Sequence, residues 1–484
     1  MRIYEDARPA FFRVPGHRFE RGVDRTALDL LGEKAYRSDL TEAEGLDDLH
    51  HPTGAIREAE ELAAELYGSD HCWFLVNGTT SGNEAMILAA VAPGEKILID
   101  RNAHRSVLQG LILSGAVPVW IMPREYSGWD ITESVDPKAV EAALNRHSDI
   151  RAVFITSPTY YGIAGDLRRI SEICHAHGVP LLVDEAHGSH LNCFPPESGA
   201  PEEAVSAGAD LVSQSTHKTC GSMTESSMLH LQGSLVSRER TDACLKLVTS
   251  TSPNYLLMAS LDGARHLMAM KGQELVTEAL GLARLAEDTL SRIPGIRVLT
   301  DEPAKDPLRL VFSASDAGIS GYQMHDLLYR MGGVSCELSD PSNVVCVITW
   351  GNTEEDIRRL ADTCRKIVEK YGVLTSSGNG HVFTDSRTSG HNRTDTSRSG
   401  NFLLRPAPPM RMTPRHAFYS RRESIPLAQA VGRIAAEAVI PYPPGVPLVC
   451  PGEELTNEII QDAASYYSRK TGGERHTDIL VVSE

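Results

Sequence analysis

The sequence predicts an α/β protein with a mainly parallel sheet in its large domain, followed by a smaller α+β domain and a C-terminal domain. Three observations lead there. Short apolar runs, each followed by a polar loop and a helical pattern, recur at the spacing of βα units. A long helical stretch over 253–292 separates them from a second group of strand-like runs. A stretch rich in Ser, Gly, Thr, Asn and Arg over 376–401 then sets off the tail.

Taken in order, residues 1–54 form an N-terminal segment. It is irregular, polar and acidic, and it contains Pro15-Gly16-His17. The large domain is expected over 55–292. It opens with a helix whose stripe is Ile56, Ala59, Leu62, Ala63 and Leu66. The runs Ile97-Leu98-Ile99, Val117-Pro118-Val119-Trp120-Ile121, Ala152-Val153-Phe154-Ile155 and Leu181-Leu182-Val183 read as buried strands. Residues 293–375 contain Val298-Leu299, Leu308-Arg309-Leu310-Val311-Phe312 and Val344-Val345-Cys346-Val347-Ile348 between helical patterns, which gives the small α+β domain. Residues 376–401 read as a flexible linker. The C-terminal domain, 402–484, carries Pro441-Tyr442-Pro443-Pro444-Gly445-Val446-Pro447 and Pro451-Gly452-Glu453.

Composition narrows the function. The 484 residues are 41% apolar and 23% charged, as in an ordinary globular enzyme, and no apolar run is long enough to span a bilayer. The first residues lack a signal-peptide layout, so a cytoplasmic protein is expected. Nine scattered cysteines with no Cys-x-x-Cys pair suggest reduced thiols rather than disulfides or a zinc ribbon. A net charge of −17 argues against a nucleic-acid partner. It suits a cationic substrate, or simply an acidic, soluble surface.

The chemistry rests on loops that follow strands. Ser215-Thr216-His217-Lys218 puts a lysine in a hydroxyl-rich loop, downstream of Asp184, which closes Leu181-Leu182-Val183. That order suits pyridoxal 5'-phosphate (PLP): the lysine amine bonds the cofactor aldehyde, and the carboxylate holds the pyridine nitrogen protonated. Asn77-Gly78-Thr79-Thr80-Ser81-Gly82-Asn83 follows Trp73-Phe74-Leu75-Val76 and opens a helix. It reads as a phosphate cradle or, alone, as a helix cap. His104 lies in the loop after the next strand, where it can stack on a planar ring or simply be solvated. Thr159-Tyr160-Tyr161-Gly162 offers further polar contacts. His187 and His190 have an HxxH spacing but no third ligand beside them, so no metal site is expected. Phosphate loop, ring-stacking histidine, ring-nitrogen carboxylate and lysine follow one another in chain order.

That series is similar to the Orn/Lys/Arg decarboxylases, fold type I PLP enzymes, in their short form. The shared residues run from Phe12-Arg13-Val14-Pro15-Gly16-His17 through the segments above to Ser250-Thr251-Ser252-Pro253-Asn254-Tyr255, Ala430-Val431-Gly432-Arg433-Ile434 and the two Pro-rich tail motifs. The resemblance implies that Lys218 bonds the cofactor, Asp184 partners the pyridine nitrogen, His104 stacks on the ring and His187 lies at the reacting face. It assigns the phosphate to Thr79, Thr80, Ser81, Ser215 and His217, with Thr159 adding a contact. It further implies a homodimer or larger homo-oligomer with shared active sites, where Ser250-Thr251-Ser252 serves the neighbour. Glu453 is the candidate to meet the distal cation of a basic amino acid. The expected reaction is decarboxylation of arginine to agmatine, with lysine and ornithine as alternatives. An aminotransferase or aldolase-type PLP enzyme is the other class; for transamination, Arg309 is the residue to watch. Arg18, Arg105 and Glu225 stand where the family commonly has Lys, Lys and Gln.

Overall fold

The computed structural model describes residues 10–43, 45–300, 304–373, 406–441, 446–470 and 478–483, together with Met1 and Asp6. The expected linker at 376–401 lies outside the described residues. No described helix is long and apolar enough to cross a membrane.

The N-terminal segment is more regular than its composition implied, with two short helices at Arg25–Leu31 and Glu33–Ser38. The first is started locally: the Asp24 side chain accepts from the Thr26 and Ala27 N–H groups. It buries no residue, so there was no apolar stripe to find.

The large domain is built on a seven-stranded sheet. Its strands are β1 (His71–Leu75), β2 (Lys96–Asp100), β3 (Val117–Ile121), β6 (Ile150–Thr156), β7 (Leu181–Asp184), β8 (Leu211–Gln214) and β9 (Ser227–Leu231). A small hairpin, β4 (Glu125–Tyr126) and β5 (Ile131–Thr132), lies apart from it. The sheet order is β1-β9-β8-β7-β6-β2-β3. The pairs β3–β2, β2–β6, β6–β7 and β7–β8 are parallel, and β9 runs antiparallel to both its neighbours. Alternate side chains enter opposite cores: Ile97, Ile99 and Phe154 pack on one face, Leu98, Val153 and Ile155 on the other. Burial of both faces explains why these strands read as continuous apolar runs.

The helix Tyr255–Ser291 joins the two domains. Asn254 caps it by accepting from the Leu256 and Leu257 N–H groups. Its buried residues Leu257, Leu261 and Val276 belong to a large-domain core, while Ala279, Ala283, Ala286 and Leu290 pack into the small domain. The small domain holds an antiparallel sheet of β10 (Arg297–Val298), β11 (Arg309–Ser313), β13 (Asn343–Val347) and β12 (Leu338–Ser339), in that order. The C-terminal domain pairs β14 (Arg422–Pro426) with β15 (Asp478–Val482). It is anchored to the large domain, where Arg415 donates to the Leu113 carbonyl at 3.0 Å and Cys450 enters the main core.

Candidate active site

The loops after β1, β2, β6, β7 and β8 carry the expected site residues, at the strand ends where open α/β sheets bind ligands. Lys218 lies in a single helical turn, Thr216–Thr219, immediately after β8. Its Nζ is 3.0 Å from His187 Nε2, just beyond β7. His187 Nδ1 in turn lies 3.1 Å from an Nη2 of Arg309, at the start of β11. Tyr160 packs its ring 4.7 Å from that of His187, and Lys218 Nζ lies 5.9 Å from the Tyr160 ring centre.

A guanidinium only donates, so His187 Nδ1 accepts from Arg309. Burial, then the neighbouring Lys218 and Arg309, hold His187 well below the usual imidazole range. Loss of solvent around Lys218 lowers its pKa, against the pull of Asp184, which favours the uncharged, nucleophilic amine.

Asp184 is buried within electrostatic reach of Lys218. One oxygen accepts from Asn83 Nδ2 at 2.7 Å, the other from the Ala186 N–H at 3.1 Å. Asn83 also donates to Ser106 Oγ at 2.9 Å. His104 caps the helix Arg105–Ser114, its Nδ1 accepting from the Ser106 N–H at 3.3 Å. Burial lowers the pKa of His104, while the Asp184 carboxylate raises it and Lys218 lowers it, so the three share one electrostatic neighbourhood.

The hydroxyl cradle forms where two loops meet. Thr79 Oγ1 is 2.6 Å from Ser215 Oγ and donates to Ser227 Oγ at 3.1 Å. Gly78 opens the helix at φ 72°, a conformation that favours glycine. Ser81 donates back to the Gly78 carbonyl at 2.8 Å, so its hydroxyl serves the turn itself. Thr80 is exposed, while His217 Nδ1 lies 2.8 Å from the Ser226 carbonyl. Thr159 Oγ1 accepts from the Ile163 N–H at 3.2 Å and so closes its own turn. Ser250, Thr251 and Ser252 are exposed beside this loop, and the Ser250 N–H donates to Asn77 Oδ1 at 3.1 Å.

Glu453 corrects the sequence expectation. It is 0% exposed, and both its oxygens are taken by Arg101, at 2.6 and 2.9 Å. The Cys450 N–H donates to Oε2 at 2.8 Å. Arg101 is 3% exposed and stacks 4.6 Å over Trp120. A carboxylate so paired ties the C-terminal domain to the loop after β2 and is not free to meet a substrate cation. His190 also has its own partner, lying 3.1 Å from Asp306 Oδ1.

Asn83 lies inside the phosphate-loop motif, which gave it no role of its own, and Arg309, expected to matter only for transamination, joins the site through His187. A charged residue in an otherwise apolar strand was the signal for Arg309, which is 1% exposed. Gly162, at φ 84°, lets the small domain come this close: a Cβ there would lie 2.6 Å from Arg309 Cβ. Among the described residues, the Nε and Nη1 of Arg309 have no hydrogen-bond partner.

Fold and site together define a lysine-centred α/β enzyme. Residues 1–307 match the major domain of the Orn/Lys/Arg decarboxylases and residues 399–469 match their C-terminal domain. The chain belongs to the Orn/Lys/Arg decarboxylase family. It is 38% identical over 467 residues to the arginine decarboxylase of Bacillus subtilis, covering 95% of this chain and 91% of that one. It is 36% identical over 469 residues to the arginine decarboxylase of Bacillus cereus, covering 96% and 95%. The fold matches lysine decarboxylase A from Pseudomonas aeruginosa with a TM-score of 0.83 at 21% identity, over 99% of this chain and 79% of that one.

Proposed function

We propose that the protein binds PLP at Lys218 and removes the α-carboxylate of L-arginine as carbon dioxide, giving agmatine. The observation that carries this reading is Lys218, in contact with His187 and within the electrostatic reach of the buried Asp184 carboxylate. The residues present fit the cofactor. Thr79, Ser215 and Ser227 form a hydroxyl cradle at a helix N-terminus, and among the described residues the buried Ser213 and Thr216 hydroxyls have no hydrogen-bond partner. When bound, PLP supplies the electron-accepting ring that decarboxylation needs.

Each residue then has a task. Asp184, fixed by Asn83, would hold the pyridine nitrogen's proton, and His104 would lie against the ring. Arg309 keeps donors for the substrate carboxylate while its Nη2 fixes His187. The carbon that loses carbon dioxide must take up one proton, and Lys218 Nζ with His187 Nε2 would be the pair to deliver it. Arginine is preferred to lysine and ornithine because the relatives at 35–38% identity include four named arginine decarboxylases.

The same reading makes the enzyme a homodimer or larger, with Ser250-Thr251-Ser252 reaching the neighbour's cofactor; their exposure beside the cradle supports this. The nine unpaired cysteines support a reducing, cytoplasmic setting. The test offers arginine, lysine and ornithine separately to the PLP-loaded enzyme and quantifies carbon dioxide and amine. Agmatine from arginine, lost in Lys218→Ala, is expected. Turnover of lysine or ornithine in preference would refute the substrate, and carbon dioxide from none of them would refute the reaction.

A further inference from the structure

Of the nine free cysteines, seven are buried and behave as small apolar core residues. The other two, Cys336 and Cys346, are half-buried, and they lie together. Cys346 is in β13, and Cys336 is in the segment that leads into β12. Within that segment the Glu337 N–H donates to the Val345 carbonyl at 3.0 Å. The two chains run antiparallel, so one step further along sets Cys336 across from Cys346. Residues so placed have Cα atoms about 4.5–5.5 Å apart, inside the range of about 4.4–6.8 Å that a disulfide spans. Both thiols pack on the small-domain core that contains Cys364, and both line one cavity of about 320 Å³ with Val334, Val347, Ile348 and Leu360. A shared core face and a shared cavity wall put the two side chains on the same side. Contact with the Cys336 thiol, then burial, push the Cys346 thiol well above its ordinary value.

A bond between these sulfurs would be felt at the active site. Cys346 is the register partner of Leu310 in β11, and the next residue, Val347, is the partner of Arg309. Arg309 Nη2 contacts His187, and His187 contacts Lys218. Drawing two thiols from van der Waals contact to an S–S bond of about 2.05 Å moves the lead-in segment and β13 together by roughly an ångström or more. The strand that carries Arg309 is paired to β13 and takes up part of that movement.

We propose that Cys336 and Cys346 form a peroxide-sensitive pair whose disulfide slows the enzyme by shifting Arg309. The Cys336 thiolate attacks one oxygen of hydrogen peroxide, the O–O bond breaks, and a sulfenic acid forms as hydroxide leaves. The Cys346 sulfur then attacks the sulfenic sulfur: the S–S bond forms, the S–O bond breaks, and the Cys346 proton goes to the departing hydroxide. Two thiols are oxidised, and one peroxide is reduced to two waters. In a reducing setting such a bond is transient and regulatory rather than structural. The slowing rests on reading the protein as a decarboxylase; the thiol chemistry does not.

The test treats the PLP-loaded wild type, Cys336→Ser and Cys346→Ser with hydrogen peroxide. Linked peptides are mapped by mass spectrometry, and free thiols and arginine decarboxylation are measured before and after dithiothreitol. Wild type is expected to lose two thiols in a peptide linking Cys336 to Cys346. It should also lose up to about 100-fold in rate, the scale for an ångström-sized misplacement, and regain both with dithiothreitol. Either serine variant, unable to close the bond, should keep its rate through the same treatment. Absence of the linked peptide, or a link through a buried cysteine instead, would overturn the site. A linked peptide with an unchanged rate would overturn the coupling to Arg309, as would an equal loss of rate in both serine variants. Untreated enzyme that releases no carbon dioxide from arginine, lysine or ornithine would overturn the functional reading and the slowing with it, while the linked peptide would still decide the thiol pair.

Discussion

Replacing Glu453 by Gln separates the two roles this residue has been given. The change keeps its size and one acceptor oxygen but leaves the Arg101 guanidinium buried without a counter-charge. Breaking one side of a buried ion pair costs about 3–5 kcal/mol. Arg101 would retain the Leu448 carbonyl at 3.3 Å and the Trp120 face at 4.6 Å, which places the expected loss near the lower end, about 3 kcal/mol. Adding Arg101→Met removes the stranded charge, and the double variant should regain most of the stability. Urea unfolding followed by tryptophan fluorescence measures both, because Trp120 lies under the guanidinium. KM for arginine, measured on the folded fraction, should stay at the wild-type value. A Glu453→Gln protein that keeps wild-type stability but binds arginine poorly would refute the reasoning and return Glu453 to the substrate.

Two further outcomes are expected. In Gly162→Ala the new Cβ would sit at φ 84° and press on Arg309; strain of about 1–2 kcal/mol plus a displaced β11 should lower the melting midpoint and the decarboxylase activity together, and an unchanged protein would disprove the close approach. Glu60, 1% exposed with Oε1 accepting from the Phe74 N–H at 3.0 Å, has its carboxyl pushed by burial to about 8. Because the folded form keeps the proton longer, the stability it contributes is complete below its ordinary value of 4.5 and is lost as pH rises towards 8, by up to about 1.4 kcal/mol per unit. Glu60→Gln keeps the acceptor and removes the titration, so its melting profile should be flatter across that window and higher at its alkaline end; parallel profiles for the two proteins would count against the buried carboxyl.

Much of the fold was legible because the central parallel strands are buried on both faces: Leu181-Leu182-Val183 was one residue short of β7. The half-buried edge strand Val117–Ile121 was bounded correctly as well. The loop residues around Lys218 were legible for a related reason: each lies just after its own strand, so chain order encodes their convergence. What escaped depends on distant partners. The Arg101–Glu453 pair spans 352 positions, and no local pattern announces that a carboxylate in a Pro-Gly-Glu turn will be buried. Arg309 meets His187 from another domain, 122 positions on, and the helix Arg25–Leu31 rests on a cap rather than a stripe. The strand Ser227–Leu231, which runs antiparallel to both its neighbours, was not read as a strand at all.

The contact series from Arg309 through His187 to Lys218 crosses the boundary between the small and large domains. Separate the two, and Nδ1 of the imidazole loses its guanidinium donor and the ring is free to change tautomer. The surroundings of the lysine amine are therefore set by domain contact as well as by its own loop. A pH titration of Lys218 reactivity would read out interdomain geometry, turning an acid constant into a ruler.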